Sequence, residues 1–230
     1  MSDFFVIGGN AGQGKSTFAL NFALALRHFG FDVLLVDGDV KTPRLGHYVG
    51  VPFPQKTIQM VVRKNCSLRS AIYQMPSGVK LLFAGLADPV VNHPFVLKKE
   101  LESFADIIII DSPAHDSKWF SCGKAVFVSG DDFPSVMDVR RLSKNVNCAG
   151  VVLNRAKGDG FGLSEKNVSE FLQMSVLGSI PFDNKMRECV YEGHALLELH
   201  PDCEGSSSYL SIAARLMNLE YQSSLKRISR

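Results

Sequence analysis

The segment from Gly9 to Ser16 constrains the fold of this 230-residue chain more than any other part of the sequence. It reads Gly-Asn-Ala-Gly-Gln-Gly-Lys-Ser, which matches the phosphate-binding pattern G-x-x-x-x-G-K-[ST] at every fixed position. An apolar run, Phe4–Ile7, precedes the loop, and a segment with helical periodicity, Ser16–Phe29, follows it. A glycine-rich turn between a strand and a helix directs backbone N–H groups and the positive helix N-terminus at a phosphate. The pattern therefore predicts a nucleotide-binding α/β domain.

Each residue of the loop has an expected role in holding the phosphates. We expect Lys15 to reach the β- and γ-phosphates and the Ser16 hydroxyl to ligate Mg²⁺. The other residues expected to contact the nucleotide here are Gly9, Asn10, Ala11, Gly12, Gln13, Gly14 and Thr17. The loop by itself does not distinguish ATP from GTP, or an enzyme from a sensor.

Apolar runs alternate with helical segments along the rest of the chain. Because these runs are continuous rather than alternating with polar residues, they predict strands covered on both faces, as in parallel sheets. The runs are Phe4–Ile7, Val33–Val36, Val79–Phe83, Ile107–Ile110, Ala125–Val128, Ala149–Leu153 and Val176–Ile180. The helical segments are Ser16–Phe29, Phe95–Phe104, Ser135–Asn145, Ser164–Met174, Lys185–Glu198 and Ser207–Leu219. We expect one domain over residues 1–222, a doubly wound, mostly parallel sheet of about seven to eight strands, and a polar, basic tail over residues 223–230.

Acidic residues follow two of the predicted strands. Asp37 and Asp39 come after Val33–Val36, and Asp111 comes after Ile107–Ile110. Ligands of open parallel sheets bind beyond the carboxyl ends of the strands, so these carboxylates are expected near the phosphate loop. A carboxylate there can hold a Mg²⁺-bound water or orient an attacking water. The alternative, that these residues only cap turns, stays open.

Composition narrows the class of protein. Lys and Arg (25) nearly balance Asp and Glu (23), so net charge alone does not point to a nucleic-acid partner. No apolar run approaches the ~20 residues of a membrane span, and the N-terminus lacks a basic region and a cleavage site. The five cysteines are odd in number and include no C-x-x-C pair. We expect a cytoplasmic protein with reduced cysteines.

Several segments together resemble the ParA/MinD ATPases over nearly the whole sequence. VLLVDGDVKTPRLGHYVG resembles their second strand and switch I, and DIIIIDSPA resembles their Walker B and switch II segment. GVVLNRAKGDG is similar to their base-binding region, and VLGSIPFDNKMRECVYEGHALLELHPDC is similar to the MinD branch. The resemblance implies a Mg²⁺-dependent switch that slowly hydrolyses ATP to ADP, cycles between an ATP-bound homodimer and an ADP monomer, and serves division-site placement or partition. A protein activator or cargo is also implied.

The resemblance also implies roles for single residues. Lys15, Asp39 and Asp111 would be catalytic, with Asp39 helping to activate the water. Asp37 would lie near the Mg²⁺ shell, and Asp111 would contact that shell through water. Asn154 would hydrogen-bond adenine and Arg155 would flank the base. The other wall of the base pocket would be Pro181, Phe182 and Asp183.

The phosphate loop departs from the family pattern at Asn10. The family carries there a second lysine that reaches the partner's nucleotide, and a neutral, shorter asparagine cannot supply that charge. We therefore expect slow intrinsic turnover. Two other functions stay open: a non-hydrolysing nucleotide sensor or adaptor, and a kinase-like phosphotransferase. The second is suggested by residues 37–43, which loosely resemble the switch region of bacterial tyrosine kinases with lysine in place of arginine. Those kinases carry a tyrosine cluster at the C-terminus, whereas this chain has only Tyr209 and Tyr221 near its end.

Peripheral features suggest weaker contacts. The tail residues Leu225–Arg230 carry three basic and two apolar side chains, which predicts weak contact with an anionic membrane surface or a simply solvated terminus. Arg140, Arg141 and Lys144 are expected on one helix face, and Lys98 and Lys99 form a second cluster, but DNA binding is not favoured. His115 is expected near switch II, and Trp119 is either an exposed contact or core packing.

Overall fold

The computed structural model describes residues 2–86, 93–114 and 117–222. The strands in these ranges are β1 (Asp3–Gly8), β2 (Val33–Asp37), β3 (Ile72–Gln74), β4 (Lys80–Leu82), β5 (Ile107–Asp111), β6 (Lys124–Ser129), β7 (Cys148–Ala156) and β8 (Val176–Pro181). The helices are α1 (Lys15–His28), α2 (Leu45–Tyr48), α3 (Ile58–Val62), α4 (Leu68–Ala71), α5 (Lys98–Leu101), α6 (Ser117–Phe120), α7 (Phe133–Leu142), α8 (Glu165–Leu172), α9 (Asn184–Glu192), α10 (Leu196–Leu199) and α11 (Glu204–Leu216). A 3₁₀ turn over Pro94–Leu97 precedes α5.

The strands form one sheet in the order β3-β4-β2-β5-β1-β6-β7-β8. Every neighbouring pair is parallel except β3 and β4, which are antiparallel. The prediction of a mostly parallel sheet is confirmed, and all seven apolar runs form strands. The sequence missed β3, because this edge strand has three residues and two of them, Tyr73 and Gln74, are exposed.

Helices cover both faces of the sheet. Phe5 and Ile7 of β1 point into one apolar cluster, which also holds side chains of α1 and α11. Phe4 and Val6 point into the opposite cluster, which holds side chains of α3, α6 and α7. Successive residues of the strand thus place their side chains in opposite clusters, which explains why the strands are apolar on both faces.

The position of β1 brings the phosphate loop and the acidic residues together. β1 lies between β5 and β6, and β5 also pairs with β2. Ile7 is level with Asp111, and Asp111 is level with Asp37. The segments that follow these three parallel strands therefore emerge side by side at one edge of the sheet.

Two predicted helix boundaries are wrong. The segment Lys185–Glu198 is not one helix, because Gly193 adopts a left-handed φ of 71° and separates α9 from α10. Helix α7 ends at Leu142, so Lys144 does not share a helix face with Arg140 and Arg141. By contrast, α1 ends close to its predicted end, and Gly30 just beyond it adopts a left-handed φ of 91°, as is common for a glycine that ends a helix.

The remaining helix predictions differ in length or by small shifts. In place of one helix over Phe95–Phe104, the structure has the 3₁₀ turn Pro94–Leu97 and the single turn of α5. Helix α11 begins at Glu204, three residues before the predicted start, because the Cys203 side chain caps it by accepting the Ser206 N–H. Within the described ranges, no helix has the length and apolar character needed to cross a bilayer. His115 and the tail over residues 223–230 lie outside the described residues.

Candidate functional site

The phosphate loop follows β1 and leads directly into α1. Gly9, Gly12 and Gly14 have φ values of 132°, 80° and 86°, a region that L side chains rarely adopt. A Cβ atom at Gly9 would also clash with the carbonyl oxygen of Val128. The loop therefore needs glycine for its shape, and α1, with 14 residues, presents its N-terminus at Lys15.

Contacts with β7, with helix α7 and with the backbone before α7 hold the loop in place. The Gln13 amide donates to the Ser135 hydroxyl at 2.9 Å and accepts the Gly130 N–H at 2.8 Å. Asn154 donates to the Gln13 carbonyl at 2.8 Å, and Arg155 donates to the Gly12 carbonyl at 3.1 Å. These bonds occupy carbonyl groups of the loop and leave it preformed.

Asn10 makes a separate contact with α7. Its amide nitrogen donates a hydrogen bond to Asp138 at 2.6 Å, while the Lys15 ammonium donates to the Asn10 carbonyl at 3.1 Å. The Asn10 side chain is thus engaged within its own chain.

A cavity of about 410 Å³ lies above the loop. Its walls bring together Lys15, Ser16, Asp39 and Asp111, as the sequence predicts from the strand ends. Among the residues that the structure describes, four cationic side chains line it: Lys15, Lys41, Arg44 and Arg155. These cations outnumber the two described carboxylates, Asp39 and Asp111, which suits an anionic ligand.

Burial shifts the pKa values of the charged groups at this cavity. Burial raises the pKa of Asp111 to about 6, although a hydrogen bond with the Ser16 side chain and the charge of Lys15 oppose the shift. Burial lowers the pKa of Lys15, against the attraction of Asp111 and Asp39. Burial, with repulsion from Asp111, raises the pKa of Asp37 well above its usual value. A bound cation would favour the ionised carboxylates.

Asp37 and Asp39 occupy different environments. The Asp37 side chain is fully buried and does not line the cavity, and its oxygens accept the backbone N–H groups of Asp39 and Leu45, both at 3.2 Å. Asp39 lines the cavity and accepts the Thr42 N–H at 3.0 Å and the Thr42 hydroxyl at 2.7 Å. Asp37 therefore shapes the loop before α2, whereas Asp39 faces the site. Asp37, which was expected near the Mg²⁺ shell, does not line this cavity.

The residues around the phosphate cavity suit Mg²⁺ shared with a nucleotide. Within residues 2–86, 93–114 and 117–222, no three His, Cys, Asp or Glu side chains are grouped to hold a metal on their own. Mg²⁺ commonly uses one or two protein oxygens together with substrate phosphates and waters. The Ser16 hydroxyl and the Asp111 carboxylate, which share a hydrogen bond, supply such oxygens.

A second, more apolar cavity of about 520 Å³ adjoins the first. All five residues predicted for the base pocket line it: Asn154, Arg155, Pro181, Phe182 and Asp183. The two cavities share Gly14, Thr17, Tyr48 and Arg155 on their walls. Arg155 has a left-handed φ of 61°, a strained conformation for a non-glycine residue. A volume of this size suits a small organic ligand.

Sequence reasoning missed several residues of the base cavity. Tyr48, Met186 and Tyr209 also line it, and they come from three different helices. Tyr48 could have been suspected from its place at the end of the switch I segment, whereas Met186 and Tyr209 carried no local signal. Tyr209 is 1% exposed, and burial raises its pKa well above the usual value.

Trp119, left open by the sequence, is a core residue beside the acidic loop. Its side chain is fully buried, and its indole N–H donates to the Gly38 carbonyl at 3.2 Å. It also contacts the His93 ring, with centroids 5.0 Å apart. Gly38 lies between Asp37 and Asp39, so Trp119 supports the loop from below the cavity.

The doubly wound sheet and the glycine loop at the end of β1 define a P-loop nucleotide-binding protein. The model of the CobQ/CobB/MinD/ParA nucleotide binding domain matches residues 4–197, which is most of the chain. The chain belongs to this family.

Similar proteins extend the comparison over the full chain. An uncharacterized ATP-binding protein of Methanocaldococcus jannaschii is 27% identical over 239 residues, covering 96% of this chain and 90% of that protein. The septum site-determining protein MinD of Pyrococcus horikoshii, complexed with Mg-ADP, has a TM-score of 0.83 at 22% identity and covers 100% of this chain and 99% of its own. The MinC:MinD cell division complex of Aquifex aeolicus gives 0.81 at 24% identity, covering 96% and 98%. These structures share the fold.

Proposed function

We propose that this protein binds Mg·ATP across the two adjoining cavities and works as a slowly hydrolysing switch that alternates between an ATP-bound dimer and an ADP-bound monomer. One observation carries the proposal: the phosphate cavity with Lys15, Ser16 and Asp111 opens beside the apolar cavity with Asn154. A nucleoside triphosphate has this same division between an apolar ring system and a charged phosphate chain.

The base cavity favours adenine over guanine. Asn154 is 8% exposed, lines the cavity and uses one amide hydrogen on the Gln13 carbonyl, which leaves its second amide hydrogen and its oxygen for a ligand. An asparagine side chain matches the donor and acceptor pair of adenine. Pro181 and Phe182 supply apolar surface for the flat face of the ring. We therefore assign ATP and ADP as the ligands.

The charged residues then take distinct roles in hydrolysis. Lys15 holds the β- and γ-phosphates and stabilises the charge that develops between them. Ser16 would hold Mg²⁺ directly and Asp111 would hold it through water, and the bound ion would supply positive charge against the phosphates. Asp39 orients the attacking water. Each of its carboxylate oxygens already accepts one hydrogen bond from Thr42, which lowers its capacity to accept from that water and so slows turnover.

The biological role follows from the family. MinD proteins are named for septum-site determination, and one MinD is known in complex with MinC. A nucleotide-dependent dimer of this chain would present a surface that the monomer lacks, and a protein activator or cargo would bind to that surface. We propose spatial regulation, such as division-site placement or partition, in the cytoplasm or at a membrane surface.

A non-hydrolysing sensor is the second candidate. It is favoured by two contacts: Asp39 is already bonded to Thr42, and Asn10 is neutral and bonded to Asp138. The kinase-like alternative has less support, because Tyr209 is buried and Tyr221 packs against Phe29 with ring centroids 5.9 Å apart.

Nucleotide titration and turnover assays test the proposal. We expect the wild type to bind Mg·ATP more tightly than Mg·GTP and to release phosphate slowly. Lys15→Ala should lose about 10²-fold in ATP affinity, since it removes charge-assisted hydrogen bonds. Lys56→Ala, at an exposed lysine outside both cavities, is the matched control. Equal ATP binding by wild type and Lys15→Ala would reject the site, and tight binding without any phosphate release would favour the sensor.

A further inference from the structure

The four cations at the phosphate cavity are not equivalent. Lys15 comes from the loop itself, and Arg155 donates to the Gly12 carbonyl and also lines the base cavity. These two side chains are therefore placed to contact the part of the ligand nearest the loop and the base. Lys41 and Arg44 come instead from the segment between β2 and α2, together with Asp39. They line the same cavity from a different part of the chain.

Position and chemistry single out Arg44 from this pair. Arg44 lines the same cavity as the loop lysine, Lys15, and the buried carboxylate, Asp111, and the next residue, Leu45, is bonded to the buried Asp37. A guanidinium also fits a phosphate better than an ammonium, because its planar fork binds two oxygens at once.

The backbone around Arg44 is anchored on both sides. The residue after it, Leu45, donates its N–H to the buried Asp37 at 3.2 Å. Two residues before it, Thr42 donates twice to Asp39, which itself lines the cavity. The two acids that follow β2 thus hold the backbone from which Arg44 extends.

Arg44 also begins an element that spans both cavities. It is the residue immediately before α2, and Tyr48, at the other end of this short helix, lines both the phosphate and the base cavity. A ligand group that draws Arg44 inward would therefore change the wall of the base cavity as well.

We propose that Arg44 donates a bidentate contact to the terminal phosphate of ATP from within the same chain, and that this contact makes the site prefer ATP to ADP. The inference rests on the nucleotide binding proposed above, and assigns Arg44 as the residue that binds the third phosphate. ADP lacks this group, so the arginine has no partner when ADP is bound.

Calorimetric titration with Mg²⁺ and either ADP or a non-hydrolysable ATP analogue tests the assignment. We expect Arg44→Ala to lose about 10- to 100-fold in affinity for the ATP analogue, as for charged hydrogen bonds, and to keep its ADP affinity within about twofold. Arg44→Lys, which keeps the charge without the fork, should fall between. Arg69→Ala, an exposed arginine outside the cavity, should match the wild type for both ligands.

The outcomes separate this inference from the proposed function. If the wild type binds both nucleotides and Arg44→Ala weakens them equally, or weakens neither, the assignment of Arg44 is overturned and the nucleotide site stands. If the wild type binds neither nucleotide, both proposals fail. Arg44→Gln, which keeps the length of the side chain, serves as the uncharged variant if the alanine substitution unfolds the protein.

Discussion

Asn10 donates a 2.6 Å hydrogen bond to Asp138 and so ties the phosphate loop to helix α7. A second tie runs from Gln13 to Ser135, in the first turn of the same helix. Asp138 also pairs with Arg141 at 3.3 Å on the exposed side of α7. The loop that is proposed to hold ATP and a surface helix are therefore mechanically linked. Any movement of the loop on nucleotide binding acts on α7.

The contact between Asn10 and Asp138 should be measurable as a coupling energy. We expect Asn10→Ala and Asp138→Ala each to lower the free energy of unfolding by about 1 kcal/mol, because a part-buried, charge-assisted hydrogen bond is lost. The double variant should be less destabilised than the sum of the two, by at least about 0.5 kcal/mol. Urea unfolding of the nucleotide-free protein gives all four values. Strict additivity would show that the contact contributes nothing to stability.

The Thr42 hydroxyl should restrain hydrolysis. It donates to Asp39 at 2.7 Å and so competes with the attacking water for an oxygen of that carboxylate. Thr42→Val removes the hydroxyl bond and keeps the shape, so basal phosphate release should rise about fivefold, the factor for ~1 kcal/mol. Thr42→Ser keeps the hydroxyl and is the control. Unchanged or slower release in Thr42→Val would show that this contact does not limit turnover.

Ionisation of Asp111 should lower the free energy of unfolding of the nucleotide-free protein. Its pKa rises from 3.8 to about 6 on folding, so the folded state binds more protons than the unfolded state between these values. Stability therefore falls as pH rises through this window, and the penalty is complete above it. The shift corresponds to roughly 3 kcal/mol at most.

Asp111→Asn removes that penalty without changing the size of the side chain. We expect the variant, free of nucleotide, to be about 1–3 kcal/mol more stable than the wild type at neutral pH, with the difference disappearing towards pH ~4. Urea unfolding across this pH range provides the comparison. Glu192→Gln, an exposed carboxylate, controls for the general loss of negative charge. A variant less stable than the wild type at neutral pH would contradict the burial argument.

Trp119 should report the state of the acidic loop. It is the chain's single tryptophan, it is fully buried, and its indole donates to the Gly38 carbonyl between Asp37 and Asp39. We expect Mg·ATP to change the tryptophan emission more than Mg·ADP does, because only ATP carries the phosphate that acts on Asp39 and Arg44. Trp119→Phe, which has no tryptophan, is the control for this emission. Identical spectra with ATP, with ADP and without nucleotide would mean that the loop does not move.

Much of the fold could be predicted from the sequence because local patterns decide it. Continuous apolar runs identified seven strands, and the glycine loop between Phe4–Ile7 and a helical segment located the site. The rule that ligands bind beyond parallel strand ends correctly placed Asp39 and Asp111 on one cavity. The short edge strand β3 was missed, since two exposed residues out of three leave no pattern.

Other features depend on tertiary contacts that a sequence pattern does not contain. The sequence could not distinguish the environment of Asp37 from that of Asp39. The difference is tertiary: Asp37 accepts the Leu45 N–H away from the cavity, whereas Asp39 lines the cavity. Tyr209 joins the base cavity from a helix far away in sequence. The pairing of Asn10 with Asp138 spans 128 positions and has no local signal.

Sedimentation velocity with Mg·ATP, with Mg·ADP and without nucleotide tests the switch most directly, in wild type and Asp39→Ala. The proposed cycle predicts a dimer only with Mg·ATP. In the wild type this dimer should decay as ATP is consumed, and in Asp39→Ala it should persist. A protein that binds ATP but stays monomeric in every state and in both forms would contradict the cycle, and would leave the sensor as the function that fits the site.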